Sequence, residues 1–309
     1  MRKAIVCFAV GCVTATAFAE GLPGFQTFRA IDRERRVTHQ LLTPALVAAM
    51  RVDPALLKST VEKQPDDARL LLGAAELATE WAAKREYYEA ALRAAGTNAV
   101  VALRYALAAA SRREFETALT WLRFCETQDK QNTAAWLAEV WVLGQQEKAF
   151  KMPAVFAAAK FDDYSVDATR ARVVALDKMG YSAYAARRIG VSADSPVMMM
   201  ARDLGRAPVS KEAEPVLKAA GTAMQKAPTF LLTELVGQSL ESAVSQSRMT
   251  QMEQRRDDVK ELVAAMEQGV VEYATESEMV QYYDKMLSDG EEAAMKWLSH
   301  AVNRQPSKQ

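Results

Sequence analysis

Residues 99–132 read AVVALRYALAAASRREFETALTWLRFCETQDKQN. Small and apolar side chains recur at helical spacing, a polar break falls at Ser111-Arg112-Arg113, and a second amphipathic run extends from Phe115 to Cys125. The stretch predicts two antiparallel helices. A pair this short cannot bury its apolar faces alone and must stack on neighbours, so a helix-pair solenoid is the expected architecture. No strand-like alternation of useful length occurs elsewhere, and the chain reads as all-α.

A second unit begins at Thr275, where Thr275 with Glu278 matches a capping box. Asp289-Gly290 separates its two helices, and Ala294, Leu298, Ala301 and Pro306 follow. At this spacing the two units resemble tetratricopeptide repeats. The second helix of that family carries a small residue, a large apolar one, another small one and a closing proline. Residues 99–132 supply Ala118, Leu122 and Cys125 at those places, with Lys130 where the proline would stand. Further units start at 133, with Trp136 where the family favours tryptophan, and at 167, with Gly180-Tyr181 at the turn and Ala186 at the small position. Upstream, Pro65 closes an earlier unit, and residues 68–98 fit a shortened one with Leu71, Ala74, Ala75, Ala91 and Ala94 on its packed face. The chain departs from the family in the first helix, where the usual glycine is Ala106 in one unit and Tyr282 in another. Another helix-pair solenoid, or an irregular helical bundle, fits the same pattern.

The organisation expected from these signals has five parts. Residues 1–19 read as a signal peptide: Arg2 and Lys3, an apolar run from Ala4 to Val13, and Ala17-Phe18-Ala19 before cleavage between Ala19 and Glu20. A competing lipoprotein reading would anchor Cys12, but Ala9 stands where that box prefers leucine. Residues 20–42 form a lead-in and opening helix, and 43–190 the repeat array, which starts on the Thr43-Pro44 helix signal. Asn98 and Thr133 are candidate caps within that array. Residues 191–215, with three prolines and two glycines between Gly190 and Pro215, read as an irregular joint. Residues 216–309 form a C-terminal helical region, with two long helices broken near Arg255–Asp258. No segment is long and apolar enough for a transmembrane span. The expectation is an exported protein, periplasmic or secreted.

Removing the first 19 residues takes Cys7 and Cys12 and leaves Cys125 alone, so no internal disulfide can form. Cys125 falls at a packed small position and reads as a buried thiol. The formal charge is zero over the chain, and no basic stripe joins aromatic residues, which argues against a nucleic-acid partner. Arg33-Glu34-Arg35-Arg36 and Glu253-Gln254-Arg255-Arg256 read as solvated mixed-charge faces.

Catalytic signals are absent from the sequence. There is no HExxH, CxxC, GxSxG, SxxK, Walker or dinucleotide fingerprint, and no cofactor or metal is expected. His39 and His300 lack orienting partners and read as surface or packing histidines. Asp162-Asp163, Asp257-Asp258 and Glu291-Glu292 read as acids offsetting helix dipoles. Met198-Met199-Met200 point about 100° apart on a helix and cannot converge on one ion, so they read as core filling.

The resemblance to tetratricopeptide repeats implies a groove lined by first helices. Carried across, its positions are Arg69, Leu72, Glu76, Leu103, Leu107, Leu137, Trp141, Lys178, Met279 and Tyr283. Such a groove suits a helix or apolar peptide segment, with Trp141 and Tyr283 as anchors. The same residues would equally be core if the chain's own later helices filled the groove. The expected function is a non-catalytic scaffold or adaptor of the bacterial cell envelope that binds a protein or peptide partner. The alternative is a helical accessory domain or subunit of an enzyme complex that processes peptidoglycan or polysaccharide.

Overall fold

The computed structural model describes residues 22–38, 43–151, 160–191, 195–206, 210–226, 229–244, 255, 257–259 and 273–303. Fifteen helices are named among them, beginning with α1 (Phe25–Thr38), α2 (Pro44–Met50), α3 (Pro54–Glu62), α4 (Ala68–Leu77) and α5 (Trp81–Ala94). Then come α6 (Ala99–Ser111), α7 (Phe115–Gln128), α8 (Thr133–Gln145), α9 (Ser165–Lys178) and α10 (Ala183–Gly190). The last are α11 (Pro196–Leu204), α12 (Glu214–Lys226), α13 (Leu231–Val244), α14 (Glu276–Asp289) and α15 (Glu291–Asn303). No strand occurs among the described residues, and one isolated parallel bridge joins Asn132 to Lys160. None of the described helices is long and apolar enough to cross a membrane. The signal segment with Cys12, His39, residues 152–159 of the unit starting at 133, most of 245–272 and Pro306 lie outside the described residues.

Local chemistry sets the helix starts. Thr43 accepts a hydrogen bond from the Leu46 amide and Pro44 occupies the first turn, as the sequence predicts. Asn98 caps α6, and Thr275 with Glu278 forms the capping box of α14. The cap of α8 is Asn132, whose side chain accepts from the Ala134 amide, and Thr133 is the first helical residue instead. The Ser111–Arg113 break ends α6, with Arg113 in the left-handed region at φ 63°, and Gly290 at φ 90° separates α14 from α15.

Three expectations change. The joint at 191–215 contains α11, because Pro196 sits in a first turn, where it starts a helix instead of breaking one. Val197, Met198, Met200 and Ala201 are buried there and Met199 is exposed, so the methionines do fill core. Ala94, expected on a packed face, is exposed. Arg255, partly exposed, is also paired: its guanidinium forks onto both oxygens of Glu234, each at 2.9 Å, and reaches Glu292 at 2.6 Å, tying α13 to α15.

Helices α4 to α8 pack each on the next. The chain then reverses, and α9 returns to lie against α4. The pair is antiparallel: Lys178 of α9 meets Asp67 at the start of α4, and Arg172 meets Glu76 near its end. Gly73 makes this approach feasible, since a Cβ there would sit 2.1 Å from the Ala171 carbonyl oxygen. A second close crossing joins α12 to α13, where a Cβ on Gly221 would stand 2.8 Å from the Gly237 oxygen. Helix α11 covers α6 and α8, α12 adds to α8, and α14 packs on α10.

Gly73→Ala is expected to force α4 and α9 apart and destabilise the fold by about 1–3 kcal/mol, the range for overpacking a filled contact. Gly144→Ala, in α8 with open space around the new methyl, should instead stabilise by about 0.5–1 kcal/mol through helix propensity. Thermal denaturation of the two variants checks the contrast.

Candidate functional site

Helix α4 reads ARLLLGAAEL, and its buried face brings Glu76 inward with Leu72 and Gly73. Helix α6 is apolar apart from Arg104 and a terminal serine, and Arg104 lies on its buried face. The two side chains are 6% and 5% exposed, and they meet as a fork: Arg104 Nε donates to Glu76 Oε1 at 2.7 Å and Nη2 to Oε2 at 2.9 Å. Tyr88 of α5 donates its hydroxyl to Oε1 at 2.8 Å, and Arg172 of α9 adds Nη1 to Oε2 at 3.4 Å. Each of the remaining guanidinium nitrogens also has an acceptor. Arg104 Nη1 reaches the Asp163 carbonyl, while Arg172 gives Nε to the Gly190 carbonyl and Nη2 to Thr169 Oγ1. Gly190 is the last residue of α10, so Arg172 faces the negative end of a helix dipole.

Burial opposes ionisation of Glu76, but the charge and hydrogen bonds of Arg104, with Arg172 and Lys84 behind, outweigh it and hold the carboxyl at about 2. Lys84 is pushed down by burial and by the neighbouring Arg104, Arg172 and Arg112, against the pull of Glu76. This centre is a clasp. Its donors are occupied by protein acceptors from α4, α9 and α10 and from the segment before α9.

The clasp and its surroundings show where the groove candidates went. Leu72, Leu103, Leu107, Leu137, Met279 and Tyr283 are core residues, and Glu76 is the clasp carboxylate. The faces of α4, α6 and α8 that would have lined a groove are packed by α9, α11 and α12. Met279 and Tyr283 belong to α14, on the α10 side. Arg69 is exposed at the start of α4, and Lys178 binds Asp67 at 2.7 Å and also Gln64. Trp141 is half-buried, with its indole N–H donated to Asp203 of α11 at 3.3 Å. The ten residues do not converge on one open surface.

A different surface gathers aromatic side chains. Tyr88 stacks on buried Tyr105 with centroids 5.2 Å apart. Partly buried Trp81 and Trp121 have ring centroids 6.3 and 6.2 Å from that of Tyr105, and Phe124 lies 6.0 Å from Trp121. Trp81 donates its N–H to Glu114, and the Tyr105 hydroxyl donates to Glu89. Trp81, Trp121 and Phe124 were not among the sequence candidates. They lie on second helices, which a groove argument passes over.

Cys125 is buried, as the sequence suggests, and its thiol is pushed up to about 12 by burial and by Glu126 and Asp129. Asp162 and Asp163 accept from the Tyr164 and Ser165 amides in the turn ahead of α9, and the acid in the first turn of that helix is Asp167. His300 is exposed. Among the described residues no group of three or more His, Cys, Asp or Glu side chains could hold a metal ion. Comparison with protein-family models, with curated proteins and with solved structures finds no match.

Replacing Glu76 by Gln leaves two buried guanidiniums without their shared carboxylate, and a loss of about 3–5 kcal/mol is expected. Because the Glu76 carboxyl is depressed from 4.5 to about 2, its contribution is complete above pH 4.5 and disappears as pH falls through about 2. Acid titration of stability should therefore show a decline between those values in the wild-type protein, and a shallower one in Glu76→Gln.

Proposed function

We propose that the chain is an exported, non-catalytic scaffold or adaptor of the bacterial cell envelope, built on tetratricopeptide-like helix pairs, and that it binds a protein segment on the aromatic face of α5–α7. The exported location rests on the residue 1–19 pattern. The repeat reading is supported by the consecutive packing of α4 to α8 and by burial of the small positions Ala118 and Cys125 beside Leu122.

The observation that carries the binding surface is the pair of partly buried indoles, Trp81 and Trp121, whose rings lie 6.3 and 6.2 Å from that of buried Tyr105. Tryptophan and tyrosine supply large contact area at low conformational cost and dominate binding hot spots. An inner groove is not the favoured location, because its expected lining is core. The surface carries both signs of charge around the rings, with Arg85 paired to Glu89 at 2.9 Å. It therefore suits an apolar anchor with a mixed polar rim.

A photoreactive residue at position 121, with a second at exposed Val47 on α2 as control, tests this in the cells that make the protein. A discrete protein adduct from 121, absent from 47 and weakened by Trp81→Ala, is the expected result. Internal crosslinks alone, or equal adducts from both positions, would refute the aromatic face as the binding site.

A further inference from the structure

Helix α1 reads FQTFRAIDRERRVT, and every residue from Asp32 to Arg36 is charged. Its apolar anchors are Phe25, Phe28 and Ile31, spaced so that they share one face with Asp32. Phe28 and Ile31 are buried, and Phe25 is partly so. Both phenylalanines meet Tyr184 of α10: the Phe25 ring stands edge-on to it at 4.9 Å, and the Phe28 ring lies at 6.0 Å. One turn further along α10, Arg188 donates to Asp32 at 3.2 Å. Helix α1 is thus seated by a short row of side chains, whereas α6 buries nearly every residue from Val101 to Ala110. A helix held by so few contacts opens at a lower free energy than the core.

The seat has its own supports. Tyr184 packs beside Tyr283 of α14 with centroids 6.2 Å apart, and Tyr283 beside Tyr282 at 5.3 Å. Arg187 of α10 forks onto Asp284 of α14 at 2.8 and 3.2 Å, and Arg170 of α9 donates to the Leu287 carbonyl at 3.1 Å. Glu291 accepts from the Leu231 amide at 2.9 Å and gives its own amide to the Thr229 carbonyl at 2.8 Å, which fixes α15 to the start of α13. None of these contacts involves α1, so Tyr184, Tyr283 and Arg188 keep their places when α1 leaves.

We propose that α1 is a detachable strap: it fills a helix-binding seat on α10 and α14, and its release opens that seat to a partner helix of the same pattern. The pattern is two aromatic residues three apart, an apolar residue after three more and a carboxylate next to it. Aromatic anchors on one helical face suit the Tyr184 ring, and the carboxylate suits Arg188. The seat uses no residue of α5–α7, so the strap does not rest on the partner surface proposed above.

Phe25→Ala with Asp32→Asn loosens the strap at its two partly exposed anchors and leaves Phe28 in place. Fluorescence anisotropy of a labelled peptide of residues 22–38, added to the full chain, reads the opening. The peptide should bind the loosened chain about tenfold or more tighter than wild type, because an occupied seat lowers apparent affinity by the fraction that is open. A peptide carrying Phe28→Ala should lose that binding. Asp32→Asn alone, a milder change that serves if the double variant unfolds, should give a smaller gain in the same direction. Native-state amide exchange should show α1 opening in wild type while α4 and α9 stay protected. No gain in either variant, equal binding of the Phe28→Ala peptide, or α1 amides as protected as those of α4 would overturn the strap.

Discussion

Two arginines share one buried carboxylate at the centre of this molecule, and the placement of at least four helices follows from that constraint. Arg104, Arg172 and Glu76 come from α6, α9 and α4, with Tyr88 of α5 on the same oxygen as Arg104 Nε. Taking such charges out of water costs several kcal/mol each, and attraction offsets that cost only when geometry is good and every donor is met. The carboxylate alone does not suffice for two guanidiniums. Backbone carbonyls at Asp163 and Gly190 supply the rest, which fixes both the approach to α9 and the end of α10.

Packing and electrostatics agree at this point. The approach of α9 that brings Arg172 to Glu76 is allowed by Gly73, three residues from Glu76 on the same helix. At the other end of the clasp, a Cβ on Gly190 would meet the Val173 side chain at 2.8 Å, so the glycine that accepts from Arg172 is also the one that lets α10 close on α9. Local choices that support one another in this way are what separate a single native arrangement from competing compact states. The cost falls on the inner face, because α9, α11 and α12 occupy the space an open helical array would leave for a ligand.

The all-α class, the break at Ser111–Arg113, the caps at Thr43, Asn98 and Thr275 and the burial of Ala118, Leu122 and Cys125 were legible in the sequence. Each depends on neighbours a few residues away. The return of α9 was not legible, since periodicity identifies the inner face of a helix and says nothing about what covers it. Glu76 shows the distinction: its register placed it on the inner face correctly, but its partners stand 28 and 96 residues away. One signal was present and unused. Arg104, Glu76 and Glu139 are each solitary or nearly solitary charges in apolar helices, and a charge in that setting must find a partner inside. The expected joint differs for the opposite reason: proline density suggests disruption, yet Pro196 opens a helix.

The clasp reaches the outer surface through one residue. Tyr88 gives its hydroxyl to Glu76 and its ring to Tyr105, and Tyr105 packs near both Trp81 and Trp121. A tyrosine bonded at its tip and stacked along its face has little freedom, which restricts the indoles that pack beside its neighbour. Preorganisation of that kind lowers the ordering cost of association, which otherwise consumes much of the gain from burying aromatic surface. The buried ion cluster thus does more than join α4, α6 and α9: through Tyr88 it is tied to the aromatic cluster of Tyr105, Trp81 and Trp121.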